Sequence, residues 1–118
     1  MEKEFIELFK GYEGDFGMAD MSNTSIDADK NKIKPNYEWA GHPITDRDYL
    51  DHLAGKKSIG IQPCRIDSTV QFGCIDVDPP DYGTFKIEKY LASIQQHKLP
   101  IVPILSKSGG LHCYVFLK

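Results

Sequence analysis

Two consecutive prolines, Pro79 and Pro80, follow an apolar run that is typical of a β-strand. Proline has no N–H to donate to a sheet ladder, so the strand predicted over residues 69–78 has to end before them. The double proline therefore fixes a pair of aspartates, Asp76 and Asp78, at the end of this strand.

These two aspartates are a candidate metal site. Side chains alternate with a period of two along a strand, so both carboxylates are expected on one face, roughly 7 Å apart. Carboxylates on one face repel each other unless a positive charge lies between them. Mg²⁺ suits such a pair, because it takes a few carboxylate oxygens and completes its shell with water and substrate phosphates. For an isolated Asp-x-Asp triplet, two solvated aspartates or helix caps are the alternative.

The second half of the chain predicts strand, helix, strand, strand. The chain has 118 residues, of which 41% are hydrophobic and 26% charged, the make-up of one globular domain. After residues 69–78, apolar residues at helical spacing predict a helix over residues 87–94, and strands follow over residues 101–105 and 111–117. A strand over residues 58–62 is expected to form a hairpin with the strand over residues 69–78.

The first half predicts two short helices separated by a long loop. Apolar residues within 5–9 predict a helix that Gly11 ends in a left-handed conformation. Residues 11–42 are rich in glycine, aspartate, asparagine and lysine and predict an irregular or hairpin-bearing loop.

The second of these helices is predicted over residues 46–54. Thr45 is expected to cap it, and Gly55 to end it. Its apolar residues, expected to face the core, are Leu50, Leu53 and Ala54.

A glycine-containing turn between the last two predicted strands is the second candidate site. Glycines let backbone amides approach a ligand, and hydroxyls with one cation add phosphate-binding groups. The following strand opens with a histidine that can donate to phosphate or transfer a proton, with Tyr114 and Phe116 on its face. The candidate residues are Ser106, Lys107, Ser108, Gly109 and His112. The alternative is an ordinary hairpin turn followed by a half-buried histidine.

Charge and cysteine content make several classes of protein less favoured without excluding nucleic-acid binding. The net charge of −3 gives no basic field for nucleic acid, although Lys56, Lys57 and Lys107 could line a local groove. Three widely spaced cysteines predict reduced core residues, not a disulfide framework or a zinc site. They are Cys64, Cys74 and Cys113. Because no stretch is long and apolar enough for a membrane span and no signal peptide is evident, a cytoplasmic protein without a membrane partner is expected.

The order of these parts resembles the archaeo-eukaryotic primase superfamily. It is most similar to the primase-polymerase domains of phage and plasmid replication proteins and of TOTE conflict systems, and the likeness spans nearly the whole chain. Its motifs are an N-terminal Leu-Phe-x-Gly, a His-Leu-x-Gly followed by a Ser-Ile-Gly strand, a strand ending in Asp-x-Asp, and a Ser-x-Ser-Gly turn before a histidine strand. The matching positions are Leu8, Phe9, Gly11, His52, Leu53, Gly55, Ser58, Ile59, Gly60, Ile75, Asp76, Asp78, Ser106, Ser108, Gly109 and His112.

The resemblance implies an α+β fold of the primase-polymerase type. An RRM-like strand-helix-strand-strand core over residues 58–118 is expected to follow a small αβ module over residues 1–57, together forming one partial catalytic domain over residues 1–118. The domain is expected to be incomplete at its C-terminus, because no later carboxylate supplies the third acidic ligand of the family. Further C-terminal domains or a helicase are therefore expected as partners.

The resemblance also implies an enzyme, a DNA-directed nucleotidyltransferase that joins nucleoside triphosphates on a single-stranded DNA template with two Mg²⁺ or Mn²⁺ ions. Its role is expected in the replication of phage, plasmid or mobile-element DNA. Asp76 and Asp78 are the implied metal ligands and, with His112, the implied catalytic residues. The implied triphosphate-binding residues are Ser106, Lys107, Ser108, Gly109 and His112. Residues 15–19 are implied as a template or nucleotide contact.

Two other functions stay open from the sequence. A non-catalytic RRM-like module binds nucleic acid through strand aromatics, for which Tyr114 and Phe116 are suitable. A metal-dependent nucleotide-sugar transferase also uses Asp-x-Asp at a strand end, but such domains need a larger sheet than 118 residues provide. A rolling-circle nuclease needs two alternating histidines on a strand, and Tyr114 stands where the second would be.

Overall fold

The chain forms three helices and eight strands within the residues that the structure describes. This computed structural model describes residues 1–20, 24–27, 32–78, 86–106 and 109–117. The helices are α1 Glu2–Leu8, α2 Asp46–Leu53 and α3 Ile87–Gln96. The strands are β1 Gly17–Asp20, β2 Thr24–Asp27, β3 Lys32–Pro35, β4 Glu38–Trp39, β5 Lys57–Gly60, β6 Phe72–Val77, β7 Val102–Leu105 and β8 Leu111–Phe116. The mixture confirms the α+β class.

Two compact units make up the chain, unit 1 over Met1–Val70 and unit 2 over Gln71–Lys118. In unit 1 the central sheet has the strand order β4-β1-β5, with both neighbours antiparallel to β1. A separate antiparallel ladder joins β2 and β3, so the hairpin expected within residues 11–42 is present. This segment is nevertheless more regular than predicted, because β1 and β4 also lie in it. Neither strand alternates apolar and polar residues over enough positions for its period to be recognised.

The helix α2 follows its prediction closely. Thr45 is the N-cap, and Gly55, at φ 72°, follows the C-terminal end. The backbone N–H and the hydroxyl of Thr45 both donate to Oδ2 of Asp48, at 2.8 and 2.7 Å. Lys57 Nζ, from β5, lies 2.7 Å from the other oxygen of the same carboxylate. Asp48 therefore ties the start of α2 to β5.

The buried residues of α2 differ from the expectation. Leu53 is 46% exposed and Ala54 is also exposed, whereas Asp48 and Tyr49 are buried. The ring of Tyr49 lies edge-on to Phe5 of α1 at 6.4 Å, so α1 covers the side of α2 that carries Tyr49. The buried apolar residues of unit 1 are Ile6, Phe16, Ala19 and Tyr49.

Gly11 has a different role from the predicted helix stop. The helix α1 ends at Leu8, and Gly11 does not adopt a positive φ. A Cβ at this position would overlap the carbonyl oxygen of Gln62 and lie 2.8 Å from Cγ2 of Ile61. The N–H of Tyr12 donates to the same Gln62 carbonyl at 2.8 Å. Gly11 is therefore required for close approach of two backbone segments.

In unit 2, β6 and β7 flank β8, and both run antiparallel to it. Because α3 connects β6 to β7, the unit is a split β-α-β motif in the predicted order strand, helix, strand, strand. The buried side chains of Val77, Leu111 and Cys113 pack against Ile87 and Tyr90 of α3. The helix thus covers one face of this sheet, while the likeness of the motif to an RRM stays a prediction.

The predicted hairpin of residues 58–62 with residues 69–78 is wrong. The strand β5 pairs with β1, whereas β6 pairs with β8. Neighbouring strands with a turn between them favour a hairpin in the sequence, but the true partners of both strands lie far away along the chain. Because β5 is bonded to β1, residues 57–60 belong to the first compact unit, and the two units divide between Val70 and Gln71.

The cysteines agree only in part with the expected core positions. All three are free thiols, and Cys113 is buried beneath α3 as predicted. Cys64 and Cys74 are exposed, so the core assignment is wrong for these two. Cys74 lies on β6 but points to the sheet face that α3 does not cover.

The described helices are short. The longest of them, α3, has 10 residues, whereas a helix that crosses a bilayer needs about 20. No helix in the described part of the chain is long and apolar enough to span a membrane.

Asp48 is expected to make the stability of unit 1 depend on pH. Burial alone would raise the pKa of this carboxyl, but hydrogen bonds from Lys57 and Thr45 outweigh burial and hold the pKa below its ordinary 3.8. The carboxylate therefore stabilises the fold above pH 3.8, and this stabilisation is lost as the pH falls through the lower folded-state pKa. Asp48→Asn should lower the free energy of unfolding at pH 7 by about 2 kcal/mol, and the difference should shrink in acid.

Denaturant unfolding at a series of pH values measures this effect. The matched control is Asp51→Asn, on the same helix, whose ion pair with the exposed Arg47 (3.0 Å) should contribute less than about 0.5 kcal/mol. A loss in Asp48→Asn that does not change between pH 7 and pH 3, or an equal loss in the control, would contradict the assignment.

Gly11→Ala is expected to destabilise the protein by about 2 kcal/mol, because the added Cβ meets backbone atoms that cannot rotate away. Gly73→Ala in β6 is the control, since a Cβ there has no other atom within 4 Å. Thermal unfolding of both variants makes the comparison. Equal midpoints would show that residues 11 and 62 can separate without cost.

Candidate active site

The register between β6 and β8 places Asp76 directly opposite His112. Oδ1 of Asp76 lies 3.6 Å from Nε2 of His112, an ion pair when the imidazole is protonated. The two side chains are 62% and 43% exposed. Both point away from α3, because the adjacent residues Val77 and Leu111 are buried on the other face. A ligand can therefore reach both groups from solvent.

The end of β6 lies beside the turn that joins β7 to β8. Leu111, the first residue of β8, pairs with Val77 on one side and with Leu105 on the other. Asp78 follows Val77 and Ser106 follows Leu105, so both lie at the same end of the sheet. The predicted site residues that meet at this end are Asp76, Asp78, Ser106, Gly109 and His112. Whether the Asp78 carboxylate shares the face of Asp76 stays a prediction, because β6 ends one residue earlier.

The turn between β7 and β8 is closed by Ser106. Its N–H donates to the Gly110 carbonyl at 2.9 Å, and its Oγ accepts from the Gly110 N–H at 3.0 Å. Gly109 adopts φ 85°, a conformation that favours glycine, and its N–H donates to the Ser106 carbonyl at 3.1 Å. The Ser106 hydroxyl therefore has a structural role in addition to the predicted phosphate contact. Lys107 and Ser108 lie outside the described residues.

The two other lysines predicted for a basic groove are engaged within unit 1. Lys57 Nζ lies 2.7 Å from Asp48, and Lys56 Nζ lies 3.7 Å from Asp51. Asp48 therefore engages Lys57 closely, while Lys56 is 62% exposed and only loosely paired, and the basic groove stays a prediction. These pairs could not be predicted from the sequence, because Asp48 and Asp51 lie on a separate element that precedes the lysines.

Asp15, within the segment implied as a template or nucleotide contact, is used by the fold. Its Oδ1 accepts hydrogen bonds from the backbone N–H of Phe16 and of Gly41, both at 2.9 Å. This carboxylate therefore joins the segment before β1 to the segment after β4.

The carboxylate oxygens at the sheet end suit a hard divalent cation for which water and substrate supply most of the ligands. Among residues 1–20, 24–27, 32–78, 86–106 and 109–117, no three His, Cys, Asp or Glu side chains lie close enough together to hold a metal ion. Two carboxylates without a third protein ligand suit Mg²⁺ or Mn²⁺, which bind through one or two carboxylates plus phosphates. They do not suit a structural zinc site, which takes four protein ligands.

Aromatic side chains continue along the face that carries the Asp76–His112 pair. Tyr114 lies edge-on to His112 at 6.4 Å, and Phe116 is nearly parallel to Tyr114 at 6.1 Å. Phe72, opposite Phe116 on β6, lies 6.4 Å from the Tyr114 ring. The expectation that Tyr114 and Phe116 share the face of His112 is confirmed.

Cys74 is a residue of this face that the sequence reasoning missed. It lies opposite Tyr114, and the two side chains are hydrogen-bonded. Burial raises the pKa of the Cys74 thiol above its ordinary 9.0, and the bond to Tyr114 only partly offsets this. Burial also raises the pKa of Tyr114. The thiol is therefore protonated at neutral pH. The same period of two that predicts a shared face for Asp76 and Asp78 also predicts that Cys74 lies on that face.

Comparison with known proteins agrees with the order of these motifs. The family described as TOTE conflict system, Archaeo-Eukaryotic Primase domain, matches residues 6–118. No curated protein matches the chain. Members of the archaeo-eukaryotic primase superfamily are generally nucleotidyltransferases that act on nucleotides and nucleic acids and use divalent metals. Because the match covers almost the whole sequence, the chain belongs to the archaeo-eukaryotic primase domain family of TOTE conflict systems.

Proposed function

We propose that the chain binds a nucleoside triphosphate and a divalent metal at the end of the unit 2 sheet, for template-directed nucleotidyl transfer on DNA. The observation that carries this proposal is the Asp76–His112 pair at 3.6 Å, next to the glycine turn, in a member of the primase family. A carboxylate for a cation and an imidazole for phosphate are complementary to the two charges of a metal–triphosphate complex. Replication of mobile-element DNA is the setting that we propose.

Asp76 and Asp78 are proposed to hold the metal. When bound, a divalent ion neutralises the triphosphate and stabilises charge on the attacking and leaving oxygens. The residues themselves supply position. Asp76 is held by the β6–β8 ladder, and Asp78 follows directly at the strand end. The exposed carboxylate of Asp76 can bind a cation without giving up a buried contact.

The turn and His112 are proposed to hold the phosphates. Ser106 and Gly109 close the turn through backbone hydrogen bonds. His112 stands on the rigid strand next to this turn and can donate Nε2–H to a phosphate oxygen. The pentad Ser106, Lys107, Ser108, Gly109 and His112 is thus proposed as the triphosphate site.

The row of aromatic side chains favours a second candidate, a nucleic-acid-binding module without catalysis. Tyr114 and Phe116 lie on the sheet face opposite α3, where RRM-like domains stack bases. A pure stacking surface gains nothing from Asp76, whose charge repels phosphate unless a cation is bound. The two functions therefore differ in whether ligand binding requires metal.

Metal-dependent nucleotide binding is expected to require both aspartates. Asp76→Ala and Asp78→Ala should each weaken binding of a fluorescent dATP analogue in Mn²⁺ by at least about tenfold, because a bridging cation loses a ligand. Without Mn²⁺, the wild type and both variants should bind equally weakly. Titration followed by fluorescence anisotropy measures the affinities.

The matched control is Glu88→Gln, which removes one exposed carboxylate from α3 in the same unit. It should bind the nucleotide as the wild type does. The non-catalytic module would be favoured by a different result. In that case dATP does not bind, and an oligonucleotide binds without metal and equally well to the aspartate variants.

His112→Ala is expected to weaken dATP binding by about tenfold, since one charge-assisted hydrogen bond to phosphate is lost. The thermal midpoint should stay within about 2 °C of the wild type, because the side chain is 43% exposed and supports no core contact. His97→Ala, at the end of α3, is the control histidine. A large fall in the midpoint of His112→Ala would identify a structural histidine instead.

A further inference from the structure

The sheet of unit 1 carries two exposed aromatic side chains at its edge. Trp39 is 63% exposed and Tyr37 is 56% exposed. Trp39 pairs with Gly17, and Gly17 pairs on its other side with Gly60. These three residues form a row across the sheet. Because two of them are glycines, the indole of Trp39 is the only side chain in this row.

A second row lies directly beside the first. The Tyr37 hydroxyl and Ser58 Oγ are hydrogen-bonded at 2.6 Å. Ser58 pairs with Ala19, and the β1–β4 register, continued by one residue, brings Tyr37 opposite Ala19. The Tyr37 side chain therefore spans β1, and Ala19 is only 1% exposed. The strip of bare backbone at Gly17 and Gly60 is thus bounded by Tyr37 along one side and by Trp39 at one end. We call these four residues the aromatic trough.

Neither glycine of the trough is required by the fold. A Cβ at Gly17 would have its nearest neighbour at 3.7 Å, and one at Gly60 at 3.9 Å, both ordinary contacts. Neither residue adopts a positive φ. Glycine weakens the interior of a strand and commonly marks a position where a ligand or another backbone comes close. The two facing glycines therefore indicate that something outside the described sheet approaches their backbone.

The charge of the trough face indicates what kind of group approaches. Lys57, on the opposite face of the sheet, reaches Asp48 of α2, so α2 lies beside β5 on that opposite face. Glu38 and Asp20 alternate onto the same side as Lys57. Among the described residues of β1, β4 and β5, the trough face carries no charged side chain. A flat, uncharged surface with an exposed indole and phenol suits a planar nucleobase, because stacking needs a π-face and no charge.

We infer that the aromatic trough binds a base of single-stranded DNA, stacked against Trp39 and Tyr37 over the backbone of Gly17 and Gly60. The inference rests on the proposed function, in which single-stranded DNA is the template, and it names the surface of unit 1 that holds this strand. Base stacking accepts every base, so binding here is independent of sequence. Stacking is also largely independent of salt, unlike contacts to phosphate.

The chain contains one tryptophan, so its fluorescence reports on this surface directly. Titration of the full chain with oligothymidylate should quench the emission of Trp39 in parallel with the anisotropy increase of a labelled oligonucleotide. Trp39→Ala should weaken oligonucleotide binding by about tenfold, and Trp39→Phe, which keeps a ring, should stay within about threefold of the wild type. The loss in Trp39→Ala should be similar at low and at high salt.

Gly60→Val tests whether the bare backbone of the trough is needed, because the variant keeps the rings of Tyr37 and Trp39. It should weaken oligonucleotide binding by about tenfold, whereas the strand control Gly73→Val should not, since a Cβ at residue 73 has no atom within 4 Å. If Gly60→Val does not fold, the two Trp39 variants still decide the question.

Several outcomes would overturn the inference. These are an oligonucleotide that binds the wild type without quenching Trp39, an unchanged affinity in Trp39→Ala, or no oligonucleotide binding at all. Quenching that depends on protein concentration alone would identify a second copy of the chain as the occupant and would also overturn it. Binding of dATP in Mn²⁺ by the wild type separates the two proposals. If dATP binds but an oligonucleotide does not quench Trp39, only the inference about the aromatic trough is wrong. If an oligonucleotide quenches Trp39 but dATP does not bind, the proposed function is wrong.

Discussion

The antiparallel ladder between β6 and β8 is the contact on which the site depends. Six consecutive pairs, from Phe72 opposite Phe116 to Val77 opposite Leu111, fix the register of the two strands. A slip by one residue would turn every side chain of one strand to the other face of the sheet. Asp76 would then face α3, and its pairing with His112 would be lost. Burial of Val77, Leu111 and Cys113 opposes this slip, so apolar packing on one face positions the polar groups on the other.

In unit 2 the residues packed against α3 and the Asp76–His112 pair of the candidate site therefore lie on opposite faces of one sheet. The face under α3 holds the core, and side chains there cannot change without a loss of packing. The other face holds Asp76, His112 and Tyr114, which are partly exposed and contribute less to the core. Substitutions of these three residues are expected to report on the proposed ligand binding with little interference from unfolding. Unit 1 has a similar arrangement, with α2 on one face of its sheet and the aromatic trough on the other.

The sequence predicted those features that depend on neighbouring residues. Thr45, Asp48 and Gly55 carry the signals for the start and end of α2 within a single helix, and the period of two placed His112, Tyr114 and Phe116 on one face. The order of elements in unit 2 was predicted for the same reason. The direct cross-strand pairing of Asp76 and His112 could not be predicted, because register depends on both strands.

The expectations that failed depend on contacts distant in sequence. The partner of β5 is β1, and no property of residues 57–60 identifies it. Leu53 is apolar yet exposed, since α1 packs on the side of α2 that carries Tyr49. Gly11 looked like a helix stop, whereas the backbone of Gln62 decides its role. The ion pairs of Lys56 and Lys57 likewise depend on carboxylates of α2, a separate element.

The separation of 3.6 Å between Asp76 and His112 has a consequence for how the site takes up a ligand. The distance exceeds the range of a hydrogen bond between nitrogen and oxygen, so the pair is close but not bonded. In the proposed function, a cation and a phosphate would enter without first breaking a hydrogen bond between these two side chains, while the ladder keeps the two Cα atoms at a fixed spacing. The reorganisation energy of such binding would be small, because the backbone holds the two groups in place.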